Sequence, residues 1–282
     1  MTAGPVNVHP RVLRAMAKPA VYHRDTEFTS VVKECVEMAK KIFQTENDLF
    51  ILPGTSTAAM EAAVGNLVNP GDKVLCVVSG KFSYRFKQII ERYGGVPVTI
   101  NVKPGDVVDP KDVKEVLDQN EDVKAVFIVH NNTSTGSVNP VEKVSEIVKH
   151  YDVLFVLDAV SSMAGDKVPV DKLGVDICIT GSQKCIAAPP GLSLVSVSKR
   201  AWKAIEGKRG VKPFYLDLKA YRKAFPAHPY TSPTPLIYAL REALLLILEE
   251  GLEKRIARHE VCAKAVREAV KALGLKLFAR EE

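Results

Sequence analysis

Short apolar runs alternate with longer amphipathic segments through most of this sequence, from about residue 48 onward. The short runs have the length of strands and are rich in Val, Ile and Leu, as in "DKVLCVV", "VKAVFIV", "VLFVL" and "VDICI". Runs that are apolar at nearly every position are typical of strands buried on both faces. Because helical segments separate them, the pattern predicts an α/β fold with a mostly parallel sheet sandwiched by helices.

Cap residues predict where several of these helices begin and end. "DPKDVKEVLDQN" and "NPVEKVSEIVKHY" each place an Asp or Asn before a proline, which favours a helix N-terminus. "KFSYRFKQIIERYGG" ends on two glycines, which favour a helix C-terminus. From about Pro233 the pattern is helical throughout, so we expect C-terminal helices there.

Polar residues follow several of the predicted strands. Lys184 comes shortly after "VDICI", Asp158 ends "VLFVL", Ser134 follows "VKAVFIV" and Thr55 follows "LFIL". Ligands of open parallel sheets bind beyond the carboxyl ends of the strands. The sequence therefore predicts that these side chains meet at one ligand site.

Lys184 and Asp158 each have a structural and a chemical interpretation. A strand-end lysine can simply extend its amine into solvent, and a strand-end aspartate can cap the next helix. Alternatively, a desolvated lysine loses its proton more easily, and the free amine attacks a carbonyl carbon. An aspartate beside a pyridine ring keeps the ring nitrogen protonated, which makes the ring an electron sink.

The segment "PGTSTAAMEAA" predicts an anion site. Gly54 permits a tight turn, and the hydroxyl residues Thr55, Ser56 and Thr57 open a helix whose free N–H groups and dipole favour a phosphate. An ordinary helix cap is the alternative, and the absence of a following Lys-Ser/Thr argues against a nucleotide triphosphate.

Phe82, in "SGKFSYR", is placed to stack on an aromatic ligand or to join the core, and Ser134, in "HNNTSTG", is placed to contact a phenolic oxygen. A phosphate cradle, a stacking ring, an acid for a ring nitrogen and a strand-end lysine together predict pyridoxal 5′-phosphate as the cofactor.

Composition argues against several classes of protein. The chain has 282 residues, of which 46% are hydrophobic and 26% charged, as in ordinary globular proteins. It offers no run of 18 apolar residues and no apolar signal segment, so we expect a cytoplasmic protein without membrane contact. Five scattered cysteines favour neither a metal site nor disulfides, and the spread of the basic residues argues against nucleic acid.

With these residues identified, the sequence resembles the class V (fold-type I) aminotransferases, in particular the alanine–glyoxylate and serine–pyruvate branch. The resemblance covers essentially the whole chain. It is carried by "AGPVNVHPRVL", "GTSTAAMEAAVGNLVNPGDKVL", "HNNTSTG", "VLDAVSSMAG", "GSQKCIAAPPG" and "YTSPTPLIYALREAL".

The resemblance implies a role for each matching residue. Lys184 would link covalently to the cofactor aldehyde, Asp158 would pair with the ring nitrogen, and Val160 would lie on the ring face opposite Phe82. Ser134 would lie near the ring hydroxyl. The phosphate would be held by Thr55, Ser56, Thr57 and Gln183.

The resemblance also implies a homodimer with shared active sites. Thr231, in "YTSP", would reach the partner's phosphate, and His23 with Arg24 matches a family element near the cofactor or the interface. Asn132 stands where the family often has Glu. His228 stands where some relatives have a phosphate-binding tyrosine, a role that Tyr230 could take.

The expected domains are an N-terminal arm at 1–20, a cofactor-binding large domain at 21–232, and C-terminal helices at 233–282 that lead into a largely missing small domain. That small domain carries the family's carboxylate-binding arginine. Arg11, Arg24 and Arg85 are the conceivable substitutes in this chain, and none is assigned that role.

The resemblance implies transamination between an amino acid of the alanine, serine or aspartate type and a 2-oxo acid such as glyoxylate or pyruvate, by a ping-pong cycle through a Lys184 aldimine. A lyase or cysteine desulfurase is an alternative, although Gln183 stands where desulfurases have histidine and Cys262 lies inside a helical run. A 2-aminoethylphosphonate transaminase and a truncated, catalytically deficient cofactor-binding subunit also remain open.

Overall fold

The computed structural model describes residues 3–280, and within that range the chain forms eleven helices and nine strands. The helices are α1 (Pro10–Met16), α2 (Thr26–Phe43), α3 (Ser56–Leu67), α4 (Lys81–Arg92), α5 (Pro110–Gln119), α6 (Val141–Val148), α7 (Val170–Leu173), α8 (Lys199–Glu206), α9 (Leu218–Ala224), α10 (Thr234–Glu250) and α11 (Leu252–Ala272). The strands are β1 (Asp48–Pro53), β2 (Lys73–Val78), β3 (Val96–Asn101), β4 (Ala125–Val129), β5 (Asn131–Asn132), β6 (Ser137–Val138), β7 (Leu154–Asp158), β8 (Ile177–Gly181) and β9 (Leu192–Val197).

Seven strands form one sheet in the order β1-β9-β8-β7-β4-β2-β3. Strands β8, β7, β4, β2 and β3 pair in parallel, whereas β9 is antiparallel to both of its neighbours. The carboxyl ends of the parallel strands therefore meet at one edge. The predicted mostly parallel sheet sandwiched by helices is confirmed.

Central strand β4 illustrates why its sequence is apolar at every position. Val126 and Ile128 belong to the apolar cluster on one face of the sheet, and Ala125, Phe127 and Val129 belong to the cluster on the other. Helices α2, α5, α6 and α10 supply the first cluster, and α3, α4 and α8 supply the second. Burial on both faces removes the polar alternation that a one-sided sheet would show.

The predicted caps agree with the structure in part. Asp109 caps α5 by accepting a hydrogen bond from the Lys111 amide, with Pro110 in the first turn. Asn139, by contrast, does not cap α6, which begins after Pro140. The Asn139 side chain is buried and bonds to the Val108 amide, the Val129 carbonyl and Ser79 Oγ. Tertiary partners thus replace the local cap.

The two ends of the chain differ in how they contact this core. Helix α1 buries Val12 and packs along α10, which itself belongs to the main apolar cluster. Helix α11 spans 21 residues, none of which is buried. No helix among residues 3–280 combines the length and apolar character that a membrane crossing requires. The domain boundaries proposed from the sequence stay predictions.

Phe127 offers a direct test of the core. Its ring is fully buried and packs edge-to-face on the Phe86 ring, with 5.3 Å between the two ring centroids. We expect Phe127→Ala to lower the free energy of unfolding by about 3–5 kcal/mol, because it leaves a cavity in a close-packed interior. Leu273→Ala, at a side chain that is 76% exposed, should change it by less than about 0.5 kcal/mol. Urea denaturation measures both, and equal effects would contradict the placement of Phe127.

Candidate active site

A cavity of about 300 Å³ opens at the carboxyl ends of β4, β7 and β8, between the N-termini of α3 and α4. Eight of the ten residues singled out in the sequence line it. These are Thr55, Ser56, Thr57, Phe82, Asp158, Val160, Gln183 and Lys184. They come from four separate segments of the chain, and the convergence of the strand ends brings them together.

Asp158 is the last residue of β7 and is only 3% exposed. Burial raises the pKa of its carboxyl to about 6, although a 2.8 Å hydrogen bond from the Val160 amide and the charges of Arg85 and Lys184 oppose that rise. A buried carboxylate is costly unless it is paired. This side chain is therefore suited to pairing with a cation in the cavity.

Lys184 lies in the turn after β8, with its amine in the same cavity as Asp158. Burial lowers the pKa of the amine, although the charges of Cys185 and Asp158 act to raise it. Nζ donates a 2.6 Å hydrogen bond to the Ala3 carbonyl. Gly4, with φ +131°, lies so close that a Cβ there would come within 2.7–2.9 Å of the Lys184 side chain. The N-terminal segment thus covers the amine and partly desolvates it.

The N-terminus of α3 forms a cradle of hydrogen-bond donors. Thr55 stands at the cap position but makes no side-chain cap bond. Gln183 Nε2 donates to Ser56 Oγ at 3.1 Å, and Arg85 Nη1 donates to Thr57 Oγ1 at 2.9 Å. Because each hydroxyl oxygen accepts a bond, its own proton is free to be donated. Together with the helix dipole, this arrangement favours an anion.

Phe82 and Val160 contribute apolar surface to the same wall. Phe82 lies in the first turn of α4, half-buried, with the Arg85 guanidinium carbon 5.1 Å from its ring centroid. Val160 follows two residues after Asp158, so the turn that presents the carboxylate also presents this side chain. The cavity therefore offers apolar surface for a flat ring beside a buried acid.

Two of the predicted residues lie outside the cavity wall. Ser134 Oγ accepts a hydrogen bond from the Lys81 amide at the start of α4, 3.1 Å away, and the preceding residue, Thr133, lines the cavity instead. Thr133 Oγ1 lies 2.5 Å from Ser161 Oγ, which is also in the wall. Thr231 is exposed in the loop between α9 and α10.

Further wall residues were not found from the sequence. Asn131 and Thr133 follow shortly after β4, and Ser161 follows shortly after β7, and that position beyond a strand end is the signal that could have identified them. Gly4 and Pro5 lie far from the others in the sequence, and no local pattern points to them.

Only one of the three arginines considered for a substrate carboxylate lies in the cavity wall. Arg11 pairs with Glu242 at 2.6 Å and with Glu249 at 2.7 Å, both on α10. Arg24 is exposed. Arg85 lines the cavity.

The remaining residues named from the resemblance also lie outside the wall. Asn132 is fully buried, with Nδ2 2.6 Å from Ser79 Oγ. His228 bonds to Ser232 Oγ at 2.8 Å, and burial lowers the pKa of its imidazole to about 4. Tyr230 donates to the Phe214 carbonyl at 2.7 Å, and half-buried His23 stacks edge-on against Tyr22.

Comparison with known proteins agrees with this fold. The family described as Aminotransferase class-V matches residues 8–281. An uncharacterized aminotransferase of Methanocaldococcus jannaschii is 48% identical over 284 residues, covering 100% of this chain and 74% of its own length. A serine–glyoxylate aminotransferase of Methylorubrum extorquens is 39% identical over 289 residues, covering 98% of this chain and 72% of its own.

The solved structure of ureidoglycine–glyoxylate aminotransferase from Bacillus subtilis superposes with a TM-score of 0.94 at 37% identity, covering 99% of this chain and 73% of that one. The chain belongs to the class-V aminotransferase family and is therefore an enzyme of the aminotransferase class. It spans about three quarters of the length of these relatives.

The buried charge of Asp158 predicts a pH-dependent stability. Since its folded-state pKa of about 6 lies above the ordinary 3.8, the folded protein holds that proton more tightly than the unfolded chain does, and stability falls as pH rises between about 4 and 6. In cofactor-free protein above pH 6, the free energy of unfolding of Asp158→Asn should therefore exceed that of wild type by on the order of 3 kcal/mol. Below about pH 4 the two free energies should be equal. Urea denaturation across pH measures this, with exposed Asp152→Asn as control. A constant difference at all pH values would refute the buried carboxylate.

Gly181 tests the cradle, because a Cβ at this position would lie 2.0 Å from Ser56 Oγ. Gly181→Ala should displace the hydroxyl and weaken binding of inorganic phosphate by roughly tenfold, the value of one lost charge-assisted hydrogen bond. Thermal protection by phosphate measures the loss. Gly207→Ala, whose Cβ meets its nearest atom at 3.5 Å, is the control, and equal protection of both variants would argue against this cradle.

Proposed function

We propose that this chain is a pyridoxal 5′-phosphate-dependent aminotransferase that moves the amino group of a small amino acid, of the alanine, serine or aspartate type, to a 2-oxo acid such as glyoxylate or pyruvate. The observation that carries the proposal is a single cavity whose wall combines Lys184, the buried carboxylate of Asp158 and the uncapped N-terminus of α3. These groups match the aldehyde, the ring nitrogen and the phosphate of that cofactor.

The side chains present fit the cofactor group by group. Ser56 and Thr57, with Thr55 and Gln183 beside them, would hold the phosphate through oriented hydroxyls and backbone amides. Asp158 accepts one backbone hydrogen bond and retains lone pairs for a protonated ring nitrogen. When bound, the cofactor supplies an electron sink for the charge that develops on the substrate α-carbon.

Lys184 is the group proposed to move protons. Because burial lowers its pKa, a larger fraction of the amine is neutral near pH 7, and only the neutral form accepts a proton. Nζ would take the proton from the substrate α-carbon and would then donate it to a carbon of the cofactor. The cover formed by Gly4 and Pro5 restricts water at this amine, and this desolvation favours the neutral form.

The names of the relatives support the substrate class. The enzyme of Methylorubrum extorquens is named for serine and glyoxylate, and that of Bacillus subtilis for ureidoglycine and glyoxylate. We propose glyoxylate as the preferred acceptor on this basis.

A homodimer is part of the proposal. Thr231 lies outside the cavity of its own chain and is exposed near Tyr230. Phe214 and Tyr215, which pack on Tyr230, are 82% and 45% exposed. Exposed aromatic patches are typical of association surfaces. Through this surface Thr231 would reach the phosphate held by the partner subunit.

Lys184 supplies the decisive test. After incubation with pyridoxal 5′-phosphate and reduction by borohydride, we expect the phosphopyridoxyl group on the peptide that contains Lys184, identified by mass spectrometry. Lys208 is an internal control, because burial also lowers its pKa although it lies outside the cavity. Lys184→Ala should abolish the label and reduce transamination by at least about a hundredfold, the usual contribution of a general base.

Label on Lys208, or none on Lys184, would contradict the proposed site. Serine, alanine and aspartate, supplied separately with glyoxylate, would rank the donors through the rate at which each 2-oxo acid is released. A purified chain that takes the label but gives no turnover with any donor would instead match the catalytically deficient cofactor-binding subunit.

A further inference from the structure

Arg85 connects two walls of the cavity. It lies one turn after Phe82 on α4 and is half-buried. Its Nη1 donates to Thr57 Oγ1 on α3 at 2.9 Å, and its guanidinium carbon lies 5.1 Å from the Phe82 ring centroid. A single side chain therefore contacts both the hydroxyl at the anion cradle and the ring at the apolar wall.

The charge of Arg85 is not neutralised by an ion pair. Among residues 3–280 no carboxylate lies within ion-pairing distance of it, whereas Lys87, two residues further along α4, pairs with Glu91 at 2.8 Å. Asp158 is the acidic residue in the cavity wall, and the charges of Arg85 and Lys184 stabilise its carboxylate without an ion-pair contact to Arg85. Arg85 thus places a positive charge, without a carboxylate paired to it, beside the N-terminus of α3, and this favours a ligand with negative charge there.

The hydrogen bond from Arg85 to Thr57 Oγ1 fixes the direction in which the Thr57 hydroxyl can donate. A guanidinium has no acceptor, so the Thr57 oxygen must be the acceptor in this bond. The Thr57 proton is then free to point into the cavity, at the N-terminus of α3 where the backbone amides also point. Without Arg85 the hydroxyl could rotate and its donor direction would be lost.

We propose that Arg85 is a positioning residue of the phosphate subsite, where it orients the Thr57 hydroxyl toward a bound phosphate and adds positive charge beside it. The inference rests on the proposed function in one respect, namely that the phosphate belongs to the cofactor. Its contact with Thr57 places the guanidinium at the α3 N-terminus, and this favours phosphate over a substrate carboxylate as its anion.

The test compares pyridoxal 5′-phosphate with pyridoxal, which lacks the phosphate, in Arg85→Gln, Arg85→Lys and the exposed control Arg92→Gln on the same helix. Arg85→Gln should weaken the binding of pyridoxal 5′-phosphate by roughly 10- to 100-fold, the usual value of a hydrogen bond to a charged group. Pyridoxal affinity should change by less than about threefold, since the lost interaction involves phosphate alone. Arg85→Lys should recover part of the lost affinity, because lysine keeps the positive charge but lacks the planar set of N–H donors of the guanidinium.

A double-mutant cycle with Thr57→Val separates the two parts of the role. Because Arg85 acts partly through the Thr57 hydroxyl, the two losses in affinity should be less than additive. Equal weakening of pyridoxal 5′-phosphate and pyridoxal by Arg85→Gln would show a merely structural role. Unchanged cofactor affinity with a raised KM for the amino donor would show a carboxylate-binding role. Either result overturns the inference.

Inorganic phosphate distinguishes this inference from the proposed function. In cofactor-free protein, thermal protection by phosphate should decrease in Arg85→Gln and remain in Arg92→Gln. If the wild-type chain binds no pyridoxal 5′-phosphate, the proposed function fails, and the phosphate experiment still decides the role of Arg85. Equal protection of wild type and Arg85→Gln would overturn that role.

Discussion

The carboxylate of Asp158 is the constraint on which the rest of the site depends. It ends a central strand, is 3% exposed, and has one backbone amide as a hydrogen-bond donor. Burial of an unpaired carboxylate destabilises a fold by several kcal/mol or shifts its pKa upward, and here the pKa rises to about 6. A cationic ring nitrogen in the cavity would relieve this penalty, so the binding of such a ligand and the stability of the strand end are linked.

The anion cradle shows a second kind of preorganisation. Ser56 and Thr57 are oriented by side chains from distant segments, Gln183 and Arg85, and each receives a hydrogen bond that leaves its own proton to donate. Donors fixed before the ligand arrives lose less conformational entropy on binding. Gly181 permits this packing because a side chain at that position would overlap Ser56 Oγ.

Much of the fold and part of the site could be predicted from the sequence. Apolar runs predicted the buried strands, and polar residues after those runs predicted the edge of the sheet at which the cavity lies. The choice between Ser134 and Thr133 could not be predicted, because adjacent hydroxyl residues look alike in sequence and the local path of the loop decides which of them faces the cavity. Asn139 was placed at a helix cap for a similar reason, since its buried partners lie on other segments.

The sequence by itself determined the α/β architecture and the kinds of side chain that stand at the strand ends, because periodicity and local order are properties of neighbouring residues. Only the tertiary structure decided which distant groups touch. Lys184 meets the Ala3 carbonyl across 181 positions, and Gln183 meets Ser56 across 127. Such contacts depend on how strands, helices and the N-terminal segment pack together, and no local pattern encodes that packing.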